Sequence, residues 1–228
     1  MLLSFALYVG FLLFIVGLPL LIWHGTRRIA FFCVPFGLLL IVVAFVWPVR
    51  AERAPARATH LDEAMPEWQF REQHAMHVAA PPDRVFASIR PVTADEIWLF
   101  RTLTAIRRLG RPLPPGIMNA PKSESLLDIA TRTSFRYLAM DPPHEMVIGT
   151  IIVPPRAVLA TMNFLVTPDD RGGSLLSTET RVLAANDSFA RRFAIYWRII
   201  HPGSDIIRRM WLRAIKKRAE GSRLTRSE

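Results

Sequence analysis

Cysteine is almost missing from these 228 residues. Cys33 stands alone, which excludes an intramolecular disulfide framework and any multi-thiolate metal site. Acidic residues are scarce, 19 against 29 Lys and Arg, so the chain carries a formal charge of +10. The 11 glycines lack the spacing of a P-loop or a dinucleotide fingerprint, no nucleophile elbow occurs, and no cofactor is implied. Charge itself is missing from two stretches, Leu2–Trp23 and Ile29–Val49. What is abundant is apolar: 51% of the residues are hydrophobic, which excludes a disordered polyelectrolyte.

The two uncharged stretches are 22 and 21 residues long, and as helices each would reach roughly 30 Å, the thickness of a bilayer core. Only residues 24–28 separate them, so two spans (2–23 and 29–49) would form an antiparallel transmembrane hairpin. The competing reading of the first stretch is a cleaved signal peptide. Against it, no basic leader precedes the apolar run, no small-x-small site ends it, and a second apolar run follows at once. Trp23 and Trp47 stand at span ends, where an amphipathic ring suits the headgroup level. Gly10, Gly17 and Gly37 would let the helices approach closely, and Pro19 would bend the first.

Basic residues set the expected orientation. Arg50, Arg53 and Arg57, beyond the second span, outnumber Arg27 and Arg28 in the turn, which favours a cytoplasmic main domain on a two-span membrane anchor. Residues 50–69 read as a Pro/Ala/Arg-rich linker. Its arginines either touch anionic headgroups at the membrane surface or act only as a positive-inside stop signal.

A globular domain is expected over 70–220, followed by a tail over 221–228. A strand over Gln73–Ala80 would place Met76 and Val78 on one face. A short helix follows over Arg84–Ile89. Thr93 and Glu96 have capping-box spacing and would open a helix that runs through Ile97, Phe100, Leu103 and Ile106 to Gly110. After a Pro-rich loop (111–121) and a short helix (124–131), strands are expected over Ser134–Met140, Glu145–Val153, Leu159–Thr167 and Ser174–Leu183. Asn186-Asp187-Ser188 would cap a long closing helix with Phe189, Phe193, Tyr196 and Ile200 at helical spacing. Pro202-Gly203 would break or kink that helix, and Ser204 would restart it.

Three segments carry a family likeness: His77–Phe86 (HVAAPPDRVF), Ser177–Val182 (STETRV) and Phe193–Ser204 (FAIYWRIIHPGS). On these residues the chain resembles the START-like, or SRPBCC, superfamily over 71–220, and the last two segments resemble a bacterial subgroup of it. The resemblance implies an α+β helix-grip fold, an antiparallel sheet wrapped on a long C-terminal helix. It also implies a deep cavity between the two for lipids, polyketides or other apolar ligands, and for this chain a bacterial inner-membrane location. Some members are cyclases or hydratases and many only bind; the fold does not decide between them.

Each candidate residue has a plainer explanation beside the functional one. Met76, Met140, Met146 and Met162 fall on expected strands. Facing inward with Phe164 they would line an adaptable apolar cavity, or else they are ordinary core filling. Glu179 and Arg181 stand two apart on a strand, so both point to one side. In the cavity they would anchor a polar ligand head or poise an acid/base group, but Leu176, Thr178, Thr180 and Val182 form the better core face, which puts the pair outside. His144 at a turn and His201 before Pro202 are the other acid/base candidates. Tyr196 would offer the cavity a hydroxyl or be core. His74 and His77 lie on opposite strand faces, and no close Asp/Glu set completes a metal site.

From residue 186 the chain is strongly basic, with Arg209, Arg213 and Lys217 at four-residue spacing. A solvated helix face or contact with an anionic leaflet explains the stripe. No recognition motif accompanies it, which speaks against nucleic acid. Three functions are open. The first is a membrane-anchored binder of an apolar small molecule or lipid, with the bilayer and that ligand as partners. The others are a tethered protein-interaction module whose partner is unidentified, and a cyclase- or hydratase-type enzyme using Glu179, His144 or His201.

Overall fold

A chain with two uniformly apolar runs and an alternating remainder has two kinds of surface to bury. The computed structural model, which describes residues 2–22, 25–150, 158–170 and 172–221, accordingly divides into two units. The elements run α1 (Leu2–Leu20), α2 (Arg27–Val46), β1 (Glu52–Arg53), α3 (His60–Ala64), β2 (Glu67–Trp68), β3 (Phe70–Val78) and α4 (Pro82–Ala87). A 3₁₀ turn (Ala94–Glu96) leads to α5 (Phe100–Arg107), α6 (Leu126–Thr133), β4 (Phe135–Asp141), β5 (Glu145–Thr150), β6 (Val158–Asp169), β7 (Gly173–Ala184) and α7 (Asp187–Gly221). One unit holds Met1–Arg50 with Asp187–Ser204; the other holds Ala51–Asn186 with Asp205–Glu228.

In the first unit, α1 and α2 are long and apolar enough to cross a membrane. They meet backbone to backbone at glycine. A Cβ on Gly10 would stand 2.8 Å from the Gly37 carbonyl oxygen, and one on Gly37 would stand 2.8 Å from both the Gly10 oxygen and the Phe14 nitrogen. Only a residue without a side chain fits there. Leu2, Phe5, Phe31 and Phe32 point outward and are more than 70% exposed. Trp47 follows α2 and is exposed, while Trp23 lies outside the described residues. Pro202-Gly203 does not break α7, which runs through both residues as one helix. An internal proline costs about 3 kcal/mol, which the burial along the rest of the helix offsets.

In the second unit the five strands form an antiparallel sheet in the order β3-β7-β6-β5-β4. With its long C-terminal helix, this is the helix-grip architecture expected of the α+β class, preceded by the two apolar helices. Register fixes what shares the inner face. His74 pairs with Thr178, Thr178 with Phe164, and Phe164 with Met146; in the next row Glu72, Thr180, Met162 and Ile148 are successive partners. The inner face packs with Val85 and Ile89 around α4, Leu126, Leu127 and Ile129 of α6, and Trp211, Leu212 and Ile215 of α7 as one core. The capping box of Thr93 and Glu96 forms, but it closes only the 3₁₀ turn. Leu99, at φ 61°, then redirects the chain before α5, and Ile106 is left exposed instead of joining the expected stripe.

The segment expected to be a linker is folded. β1 and β2 pair antiparallel, Thr59 and Asp62 form a capping box on α3, and Leu61, Met65 and Trp68 are buried. It lies over the outer face of the sheet, where Glu145 of β5 accepts the His60 and Leu61 backbone N–H groups at 2.7 and 3.3 Å. Three buried apolar residues scattered among charged ones leave no period to read.

Candidate functional site

Alternation along β3 sends Glu72 and His74 to the same inner face as Met76, and the second half of α7 brings Asp205, Arg208 and Arg209 to them. His74 Nε2 is 3.0 Å from Glu72 Oε1 and 3.4 Å from Asp205 Oδ1. Glu72 and His74 are buried and Asp205 nearly so. One ligand atom from each of the three lies within 4.8 Å of the others, so they would be the metal-ligating group if one existed here. Their bonding is that of an ion-pair network: Arg209 takes both Asp205 oxygens, at 2.8 and 3.2 Å. A guanidinium already holding both oxygens leaves the carboxylate poorly placed to ligate a cation.

This cluster borders apolar space. Arg208 donates to the Met162 sulfur, and its guanidinium carbon lies 5.6 Å from the centre of the Trp211 ring. Burial pushes the Arg208 guanidinium down from its ordinary value, although an arginine stays charged at neutral pH. Trp211 in turn packs edge-on against Phe164, with ring centres 5.3 Å apart. Among the described residues, the fully buried Trp211 Nε1 and the inner-face Thr180 Oγ1 have no hydrogen-bond partner. Glu72, Thr180, Met162, Arg208 and Trp211 thus form a continuous boundary between charged and apolar interior.

Met76, Met146, Met162 and Phe164, expected to line a cavity, do share the inner face, and register adds Met140 at the open edge. With their buried neighbours they pack as one core cluster. Cavities of about 250 and 350 Å³ open elsewhere, the first beside Asp62, Arg71, Glu179 and Arg181, the second beside His77, Asp169 and Leu175.

The remaining candidates are divided between the two units. Glu179 and Arg181 face away from the core and are buried at 7% and 4% exposure because α3 and β2 cover them. Arg181 donates to Asp62 at 2.6 Å, to Glu179 at 2.6 Å and to the Met65 carbonyl at 2.8 Å, with its guanidinium 4.1 Å from the Trp68 ring centre. Arg71 grips both Glu179 oxygens from the other side, at 2.7 and 3.0 Å. Burial alone would raise the Asp62 carboxyl; the bond from Arg181, with those from Thr59 and Ala58, holds it below its ordinary value instead. This network fastens the segment of α3 and β2 to the outer face of the sheet. His144 is an exposed turn residue 3.7 Å from Asp141. His201 belongs to the other unit, where it packs edge-on against Trp197, and Tyr196 of that unit is exposed, with its ring against Phe193. Neither is a member of the core cluster. Of the residues bordering the interior, Glu72 and His74 had a readable signal, two positions apart on one strand. Asp205 and Arg208 had none.

No protein-family model and no curated protein matches the chain. Among solved structures it is similar to CalU16 from Micromonospora echinospora, at 16% identity over 78% of this chain and 99% of that one, with a TM-score of 0.30. The di-domain ARO/CYC StfQ from the steffimycin biosynthetic pathway shows 16% identity over 67% of this chain, with a TM-score of 0.39, and the chain spans about half (52%) of its length. Truncated norcoclaurine synthase from Thalictrum flavum shows 12% identity over 70% of this chain and 94% of that one, with a TM-score of 0.36. These likenesses are in the course of the backbone and say nothing of a shared ligand or reaction.

Proposed function

We propose that this is a membrane-anchored, START-like binding protein. In this reading α1 and α2 are a two-span anchor in a bacterial inner membrane, and the domain from residue 51 onward lies on the cytoplasmic side and takes a lipid or other small molecule with an apolar body and a polar head. The observation that carries the reading is the buried Trp211 indole N–H, which has no acceptor among the described residues, set beside Arg208 and the Glu72–His74–Asp205 cluster at the edge of a methionine-rich interior. A buried donor left unpaired costs about 1–3 kcal/mol, and a ligand head bearing an acceptor oxygen removes that cost. Unbranched thioethers at Met76, Met146 and Met162 are the side chains best able to yield to its body. The test is native mass spectrometry and solvent extraction of the full chain released from membranes in mild detergent. An apolar molecule should copurify, should be lost in Met162→Trp, and should be depleted in Arg208→Gln. Wild-type protein free of any such molecule from every membrane source tried refutes the proposal.

A tethered interaction module is the second reading. It is favoured by the exposed Trp98, Ile106, Leu109 and Leu113 along one stretch of chain. Crosslinking in native membranes that captures a protein through this stretch, with no copurifying molecule, would support it over the first. The cyclase- or hydratase-type reading has less behind it, because Glu179 lies on the outer face of the sheet and His144 at an exposed turn.

A further inference from the structure

The first half of α7 carries apolar residues outward as well as half-buried ones at Phe189, Phe193, Trp197 and Ile200. Residues 187–204 bury Ala190, Ala194, Arg198 and His201, while Ile195, Tyr196 and Ile199 are 42%, 38% and 48% exposed. At ~3.6 residues per turn these are opposite faces of the helix. A helix resting on a water-soluble protein shows the reverse pattern, with its larger apolar residues covered.

The hidden face is held by the hairpin. Arg198, 5% exposed, donates to the carbonyl oxygens of Phe45 and Trp47 at 3.3 and 2.9 Å, taking up acceptors that the end of α2 leaves free. The Tyr8 hydroxyl of α1 donates to the Ile199 carbonyl at 2.7 Å. Residues 187–204 therefore meet the hairpin at the end marked by Trp47, a side chain suited to the headgroup level. Their exposed apolar face continues a unit whose outer surface is already Leu2, Phe5, Phe31 and Phe32. Arg191 and Arg192 stand exposed one turn before Ile195, where anionic headgroups would complement them.

Resting on the membrane reading of α1 and α2, we infer that residues 187–204 are a third lipid-contacting element, an interfacial helix seated between headgroups and acyl chains. α7 is then a membrane helix in its first half and a core helix in its second. The occupant of the Ile195–Tyr196–Ile199 face is the bilayer itself.

The experiment uses the full chain with Cys33→Ser, reconstituted in vesicles of phosphatidylcholine with phosphatidylglycerol. Single nitroxide labels are placed at Leu39→Cys in α2, at Ile195→Cys and Ile199→Cys, and at Arg213→Cys, an exposed position of the sheet's unit. Collision with oxygen, which partitions into lipid, is compared with collision with a water-soluble nickel chelate. The expected result is an oxygen-to-nickel ratio several-fold higher at 195 and 199 than at 213, and highest at 39. If 195 and 199 match 213 while 39 remains lipid-exposed, the inference is overturned and the anchor stands. If 39 itself collides mainly with nickel, the anchor reading fails and takes the inference with it.

Discussion

Arg181 offers the sharpest quantitative test of how the segment before the sheet is held. Its guanidinium makes two charge-assisted bonds, to Asp62 and Glu179, and one to the Met65 carbonyl, all within 2.8 Å and at 4% exposure. Replacing it with methionine keeps most of the volume and removes all three bonds. A bond to a charged group contributes about 1.5–3 kcal/mol, and breaking a buried pair from one side costs about 3–5 kcal/mol because a charge is left behind. Here the abandoned charges keep other partners. Glu179 retains Arg71, and Asp62 retains the backbone N–H groups of Ala58 and Thr59 at 3.1 and 3.0 Å. The expected loss for Arg181→Met is therefore near the lower end, about 3 kcal/mol. Urea unfolding of the detergent-solubilised chain measures it, and limited proteolysis within residues 51–68 should become faster than in wild type. Arg181→Met together with Asp62→Asn, which keeps an acceptor for the Ala58 and Thr59 N–H groups and leaves no unpaired charge at position 62, should recover part of the loss. A single mutant within about 0.5 kcal/mol of wild type, the range of an ordinary surface substitution, would refute the idea that this arginine pins the segment.

The same network should respond to acid. Asp62 holds its proton more weakly folded than unfolded, so the unfolded chain binds more protons in the acid range and its stabilising effect is lost as pH falls below about 4. Asp62→Asn should flatten the low-pH limb of a stability profile without moving the limb above neutrality; an unchanged acid limb would contradict the assignment. In the hairpin, Gly37→Leu drives a side chain into the Gly10 and Phe14 backbone. Such overpacking costs about 1–3 kcal/mol, which should lower the dodecyl sulfate concentration at which α1 and α2 separate. A midpoint equal to wild type would show that the helices do not meet there.

Much of the fold is legible because it is written in local chemistry. The Asp141–His144 turn, the alternation of Ala160, Met162, Phe164 and Val166, and the glycines at 10 and 37 each specify their own surroundings. Other features depend on distant partners that no period reveals. Leu99 gives no sign of its left-handed conformation, so the helix expected from Thr93 ends as a single turn. Leu61, Met65 and Trp68 are too sparse to mark a segment as folded, and only the Asp62–Arg181 and Glu145–His60 bonds across the sheet explain why it is. The outward placement of Glu179 and Arg181 follows from strand alternation, but their burial follows from that same segment. The site is legible by half: Glu72 and His74 show their shared face, whereas Asp205, Arg208 and Trp211 reach it from a helix near the other end of the chain.

The cover that α3 and β2 place on the outer face decides where the chain can be cut. A fragment begun at Phe70, the position composition suggests, would strip Asp62 from Arg181 and Trp68 from above it, leaving the buried Arg181, Glu179 and Glu145 facing water on a sheet made to be hidden. Begun at Ala51 instead, it would keep that cover on the sheet, and what it would lose is the hairpin that Arg198 and Ile199 bond.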